Sequence, residues 1–222
     1  MNRMLRLVLV SLAAFAAPAM VQAADKAWVS CLRQPERADD LEAVCTVVID
    51  SAEATAVQRA AALNNRGADR AFRGASREQA RRDLDQAIAL QPDIAKLFNT
   101  RGYIRMGDGD AAGAVDDYSQ AIRLDPHFAV AYGNRAEALM SLRRADEAMR
   151  DVNEAIRLAP SYAHPLYDPY QTRAAIKEAK GDLKGAEADR TLGSRMQGKA
   201  GKPGALNANV SGDRIWDPWL IR

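Results

Sequence analysis

Arginine and aspartate recur along this chain at a nearly constant interval, and their side chains could do chemistry together. A guanidinium and a carboxylate can form a bidentate, charge-assisted pair of hydrogen bonds. A catalytic interpretation fails because no active site repeats four times along one chain. We interpret the pairs as structural clamps between two helices. They are Arg66 with Asp83, Arg101 with Asp117, Arg135 with Asp151, and Arg173 with Asp189.

The elements that must position these charges are clearest in residues 95–128. The first half of this stretch has small or apolar residues at every fourth position, and the second half has another such stripe. A glycine-rich turn separates the two halves, and Pro126 ends the second. The pattern predicts two short helices joined by a turn. The stripe positions are Phe98, Gly102 and Met106, then Ala114, Tyr118, Ala121 and Ile122.

Neither helix of this pair could be stable alone, because each buries only one face. Copies of the pair are therefore expected, and a shift of 34 residues forwards reveals one. A backward shift reveals another, with one extra residue in its turn near Gly74, and a degraded copy follows at the end. The copies contain, in chain order, Leu63, Gly67, Ala80 and Leu84; Tyr132, Ala136, Ala148 and Val152; and Tyr170, Ala174, Gly181 and Ala186.

A two-helix period of this length, with these small and aromatic positions, resembles the tetratricopeptide repeat family over residues 60–196. The resemblance implies an all-α, helical-repeat solenoid, a right-handed superhelix of antiparallel helix pairs, here with an N-terminal helical cap. The predicted organisation is a signal peptide at 1–23, the cap at 24–59, repeats at 60–94, 95–128, 129–162 and 163–196 (the fourth degraded), and an irregular tail at 197–222.

The chain departs from the family at two positions. The family usually places leucine before the small residue of the first helix and tyrosine three residues after that small residue. Here the leucine position is occupied by the four paired arginines, and the departure recurs in every repeat. The tyrosine position holds Arg70, Arg105, Leu139 and Lys177.

The first 23 residues have the make-up of a secretory signal peptide. Arg3 and Arg6 precede a short apolar run, and small residues at Val21–Ala23 form a cleavage site. We expect an exported, periplasmic protein with no stable membrane insertion after cleavage. Without the two leader arginines, 29 basic residues balance 29 acidic ones. A nucleic-acid partner is not expected, because such proteins carry a basic excess.

Cys31 and Cys45 are the only cysteines. In an oxidising compartment an even count indicates one disulfide. We predict that it joins a short helix at 26–33 to a longer one at 37–51, forming the cap. The alternatives are a metal site, which would need further ligands although His127 and His164 lie far away in sequence, and a redox pair, which usually shows closer spacing.

Enzyme chemistry finds no positive support in the sequence. It contains no glycine-rich phosphate loop, paired metal-ligand spacing or nucleophile elbow. His127 and His164 fall in a turn and a linker, where they are expected to be solvated. We predict a non-catalytic protein without a cofactor.

A binding site for a peptide or protein segment is implied by the resemblance, because in this family the first helices line a concave groove. Short amides there could bond a peptide backbone, and Tyr and Met could add apolar contact. The asparagines could equally bond only to the neighbouring helix. A clamp for a C-terminal carboxylate is doubtful, since only Lys96 fits one. The candidates are Asn64, Asn65, Lys96, Asn99, Tyr103, Met106, Asn134, Glu137 and Met140.

The tail ends in an apolar cluster that a disordered segment does not need for itself. Its anchors are Trp216, Trp219, Leu220 and Ile221. They could dock on the protein's own repeats or on a partner. The predicted function is an exported protein-interaction scaffold with an unidentified protein or peptide partner. The alternative is a regulatory or assembly subunit held permanently in a cell-envelope complex.

Overall fold

The computed structural model describes residues 26–32, 39–74, 76–159 and 168–199, and all regular secondary structure in these ranges is α-helical. The predicted all-α class is confirmed. The signal peptide and most of the tail lie outside the described ranges. No described helix is both long and apolar enough to cross a bilayer. The helices are α1 (26–32), α2 (Asp39–Asp50), α3 (Ala56–Phe72), α4 (Arg77–Leu90), α5 (Ala95–Gly107), α6 (Ala111–Leu124), α7 (Ala129–Ser141), α8 (Ala145–Leu158), α9 (Pro169–Ala179) and α10 (Leu183–Lys199).

The chain divides between Pro92 and Asp93 into two compact units. In the first unit, α2 packs on α3, and α3 pairs with α4. In the second unit, α5 pairs with α6, α7 with α8 and α9 with α10, while α5, α7 and α9 contact one another in succession. We call α3, α5, α7 and α9 the first helices of their repeats, and α4, α6, α8 and α10 the second helices.

Polar caps determine where several of these helices begin. The first repeat was expected from residue 60, but α3 starts a turn earlier because Thr55 and Gln58 form a capping box. Ser76, Asp110 and Asp168 accept backbone N–H groups at the starts of α4, α6 and α9. Each cap satisfies a donor that the helix itself leaves without a partner.

The contact between the two helices of a repeat depends on matched residue sizes. A Cβ added to Gly102 would lie 2.7 Å from the Tyr118 ring, so the glycine makes room for the tyrosine. One period later, Ala136 and Val152 occupy the same two positions, and both are buried. A larger residue on the first helix therefore accompanies a smaller one on the second.

We expect Gly102→Ala to destabilise the fold by about 1–3 kcal/mol, because the added methyl overpacks the Tyr118 site. Tyr118→Val should cost about 2–4 kcal/mol by opening a cavity. The double variant reproduces the Ala136–Val152 combination and should cost clearly less than the sum. Denaturant unfolding of all four proteins measures this coupling. Additive losses would show that the two positions do not compensate each other.

The N-terminal cap consists of α1 and α2, and the predicted disulfide between Cys31 and Cys45 is present. Both half-cystines are buried in a cluster with Leu41, Val48 and Ala62 of α3. The disulfide thus joins α1 to α2 inside the apolar contact through which the cap packs on the first repeat.

Candidate functional site

Each arginine that the sequence pairs with an aspartate lies against that aspartate. One guanidinium donates to both carboxylate oxygens, with N···O distances of 2.6–3.0 Å. The arginine comes from the first helix and the aspartate from the second helix of the same repeat, so each pair is a bidentate clamp. The pairs are Arg66–Asp83, Arg101–Asp117, Arg135–Asp151 and Arg173–Asp189.

In three repeats the remaining guanidinium nitrogen reaches outside its own repeat. The acceptor lies on the second helix of the preceding repeat or, for the first repeat, on α2 of the cap. Sequence reasoning missed this contact, although two of the acceptors are polar residues one period apart. The bonds run from Nη1 of Arg66 to Thr46 (2.9 Å), of Arg135 to Ser119 (3.0 Å) and of Arg173 to Asn153 (3.1 Å).

Aromatic rings cover three of the four guanidinium groups. Each ring comes from the residue three positions earlier on the same first helix, with its centroid 5.6–5.7 Å from the guanidinium carbon. This is cation–π distance. The sequence pattern had indicated only a packing role for these rings. The rings belong to Phe98, Tyr132 and Tyr170.

A second cation joins the aspartate in three repeats. Arg70 lies 2.8 Å from Asp83, Arg105 lies 3.3 Å from Asp117, and Lys177 lies 2.8 Å from Asp189. Burial alone would raise the pKa of the Asp189 carboxyl, but its bonds with Arg173 and Lys177 hold that pKa below its ordinary value. The ladder aspartates are thus occupied by internal partners.

The third repeat lacks the second cation, because Leu139 stands in its place. An open cavity of about 170 Å³ lies there, lined by Ser119, Arg135, Leu139, Arg150 and Asp151 among others. Asp151 keeps only the Arg135 clamp, and this hydrogen bond raises the pKa of Arg135. The third repeat therefore offers the simplest ion pair of the ladder for measurement.

The predicted binding residues of the second unit lie on α5 and α7, and we call the exposed surface of α5, α7 and α9 the first-helix face. Tyr103 and Glu137 are exposed there, and Met106 and Met140 are half-buried beside them. Lys96 is also half-buried and has a contact of its own. A binding role for these residues stays a prediction.

The predicted asparagines of the second unit are occupied by each other. Asn134 Nδ2 donates to Asn99 Oδ1 at 3.0 Å, and both residues are buried. This bond joins α5 to α7, as the alternative interpretation of the asparagines foresaw. The two amide groups that form this hydrogen bond could bind a ligand only if the bond broke.

In the first unit the corresponding asparagines join the repeat to the cap. Asn65 Nδ2 donates to the carbonyl of Cys31, one period earlier, at 3.1 Å. Asn64 Nδ2 donates to Asn65 Oδ1 at 3.2 Å. Asn64 Oδ1 is the one buried side-chain polar atom of the described residues that lacks a hydrogen-bond partner. Of these amides, Asn64 therefore retains an acceptor for a ligand.

Glu137 lies at the centre of the first-helix face. Thr172 Oγ1 of α9 donates to Glu137 Oε1 at 3.5 Å. The carboxylate also contributes, after burial, to the raised pKa of Tyr118 on α6, and so does Tyr103 of α5. Although the residue is exposed at the surface, the surrounding helices desolvate its carboxylate enough to raise the pKa of Glu137. Glu137 thus lies on α7 with Thr172 of α9 in contact and Tyr118 of α6 nearby.

The histidine environment agrees with the sequence interpretation where it can be seen. His127 is exposed in the turn before α7, and its backbone N–H donates to Asp125. His164 lies outside the described ranges. Within those ranges, no three His, Cys, Asp or Glu residues are grouped so that they could hold a metal ion.

The tail anchors Trp216, Trp219, Leu220 and Ile221 lie outside the described residues, and their docking stays a prediction. Deleting residues 215–222 should lower the melting temperature by several degrees and increase dye binding to apolar surface. The reason is that buried aromatic and aliphatic side chains contribute ~1.5–3 kcal/mol each. An unchanged melting temperature, with fully solvated emission from both tryptophans, would instead leave the tail free for a partner.

Comparison with known proteins agrees with these repeats. Residues 105–167 match the family model of the tetratricopeptide repeat. No curated protein sequence matches the chain. Solved structures with the same fold include MamA residues 41 to the end from Desulfovibrio magneticus RS-1, with a TM-score of 0.66 and 15% identity, covering 81% of this chain and 96% of that one. Another is a crystal structure of MamA, with a TM-score of 0.60 and 19% identity, covering 73% and 90%.

Proposed function

We propose that this chain, which carries tetratricopeptide repeats, is an exported, non-catalytic scaffold that binds an extended segment of another protein. The binding surface is the first-helix face of the second unit. Tetratricopeptide repeats generally mediate protein–protein interaction. The observation that carries the proposal is the contrast between two sets of side chains. The ladder charges are occupied inside the repeats, whereas Tyr103 and Glu137 are exposed on one face, with Met106 and Met140 half-buried there.

Two features support export. The leader has the composition of a cleavable signal, and the mature region carries the Cys31–Cys45 disulfide. Disulfides persist in the periplasm and other oxidising compartments and are rare in the cytosol of most organisms. The proposed scaffold therefore works in the cell envelope.

The side chains of the first-helix face suit an extended peptide. Tyr103 is 39% exposed, although it is large and partly apolar. Met106 and Met140 pack partly on the apolar core, and their thioethers can adapt to side chains of different shapes. An aromatic ring with two flexible apolar side chains and a carboxylate can recognise a short sequence.

Quantitative affinity purification from an envelope extract tests this role. Tyr103→Ala should reduce recovery of the partner about tenfold, because an aromatic contact is lost. Leu183→Ala is the matched control, since Leu183 is 67% exposed but lies at the start of α10. Equal recovery with both variants would contradict the proposal. A partner recovered in fixed stoichiometry would favour the assembly-subunit alternative, and a substoichiometric partner would favour a scaffold.

A further inference from the structure

Glu137 is the carboxylate of the first-helix face for which the described part of the chain supplies no cationic partner. The first helices of the second unit contain only two acidic residues, Glu137 and Glu178. Glu178 forms an ion pair with Arg190 of α10. The described residues provide no cation within ion-pair distance of Glu137, whose one side-chain hydrogen bond comes from Thr172.

The basic residues of the same three helices already have other contacts. Arg101, Arg105, Arg135, Arg173 and Lys177 all contact the ladder aspartates. The sixth, the lysine near the start of α5, has a contact of its own. An internal counter-charge is therefore not supplied by the helices that form the face.

A partly desolvated, ionised carboxylate such as that of Glu137 is less favourable without a counter-charge, because desolvation penalises the charged form. The groups near it are Tyr118 of α6 and Thr172 of α9, neither of which supplies positive charge. A cation that approached from solvent would therefore gain an interaction stronger than that of an ordinary surface ion pair.

We propose that Glu137 receives a lysine or arginine side chain of the bound segment, so that the partner is a basic, extended peptide with apolar neighbours beside the cation. This inference rests on the proposed function, since it names the chemistry recognised at the same face. Met140 follows Glu137 by one turn on α7, and Met106 follows Tyr103 by one turn on α5; these half-buried methionines take the apolar neighbours. Electrostatic complementarity then selects the partner and its register.

If Glu137 serves binding, its ionised carboxylate should lower the stability of the protein when no peptide is bound. The pKa of Glu137 is raised above its ordinary value of 4.5 in the folded state. Protonated Glu137 therefore favours the folded state at low pH. This contribution to the free energy of unfolding is lost as the pH rises through the folded-state pKa. At pH 7, Glu137→Gln should therefore leave the melting temperature unchanged or higher while it weakens binding.

Selection of peptides on the exported chain tests the inference. A random heptapeptide display library is enriched on the oxidised protein, and the selected peptides are synthesised for anisotropy titrations. They should carry Lys or Arg next to apolar residues. Glu137→Gln should weaken their binding about tenfold, and Glu137→Lys should favour peptides with Glu or Asp instead. Glu154→Gln is the matched control, because that carboxylate pairs with Arg157 on a second helix.

Two outcomes would overturn the inference in distinguishable ways. Selected peptides without basic residues, or equal affinities for the native protein and Glu137→Gln, would refute cation recognition and leave peptide binding intact. No enrichment over an unrelated protein would refute peptide binding at this face, and cation recognition with it.

Discussion

Asp117→Ala is expected to lower the free energy of unfolding by about 3–5 kcal/mol, because it leaves two half-buried guanidinium groups without their carboxylate. Asp117 is 3% exposed and contacts both Arg101 and Arg105. Asp151→Ala should cost less, since among the described residues Asp151 forms an ion pair with Arg135 alone. Urea unfolding of the second unit measures both losses. The exposed neighbour Asp116→Ala is the control, and its effect should stay within about 0.5 kcal/mol.

The third repeat allows the interaction itself to be separated from the cost of an unpaired charge. Arg135 and Asp151 form a single bidentate pair there, because Leu139 replaces the second cation. In a double-mutant cycle, removing both side chains should cost less than the sum of the single changes. A coupling energy indistinguishable from zero would mean that the ladder charges are merely solvated.

Reduction of the Cys31–Cys45 disulfide is expected to destabilise the first unit by about 3 kcal/mol, because a 15-residue loop regains its freedom in the unfolded chain. Trp28 packs partly against the cluster that contains both half-cystines, so its fluorescence reports on the cap. The measurement needs Trp216→Phe and Trp219→Phe to isolate this signal. Denaturation with and without reductant should then differ in midpoint.

The matched control for the disulfide prediction is the double variant Cys31→Ala and Cys45→Ala. Its midpoint should equal that of the reduced protein and should not respond to reductant. Mass spectrometry of non-reduced peptides should find the two cysteines linked in exported protein. Free, alkylatable thiols in freshly prepared exported protein would contradict the bridge and weaken the case for an oxidising compartment.

The sequence predicted the repeats and the partners within each clamp because both depend on spacing along the chain. Arg101 and Asp117 lie on two helices joined by a short turn, so their spacing in the sequence determines whether the two side chains come into contact. The bond from Arg135 to Ser119 was missed, because it depends on how one repeat packs on the preceding one. The ring of Tyr132 over Arg135 was missed because its position was assigned to apolar packing alone.

The candidate site was predicted less completely. The helical stripe placed Asn99 and Asn134 on the first helices, but spacing alone could not show that the two amides would bond each other. The stripe also contained Glu137 without distinguishing it from its neighbours. The sequence could not show that Glu137 lacks a counter-charge among the described residues. That depends on which acidic residue each nearby Arg or Lys contacts in the folded protein.

Site-specific photo-crosslinking in intact cells tests most directly whether the first-helix face is the binding surface. A photoreactive phenylalanine derivative is incorporated in place of Tyr103 or, as the control, of Asp116, which is exposed on a second helix. The partner should be crosslinked from the Tyr103 position, and the product should disappear when Glu137→Lys is added. Equal crosslinking from the Asp116 position would contradict binding at this face, and a product that survives Glu137→Lys would contradict cation recognition by Glu137.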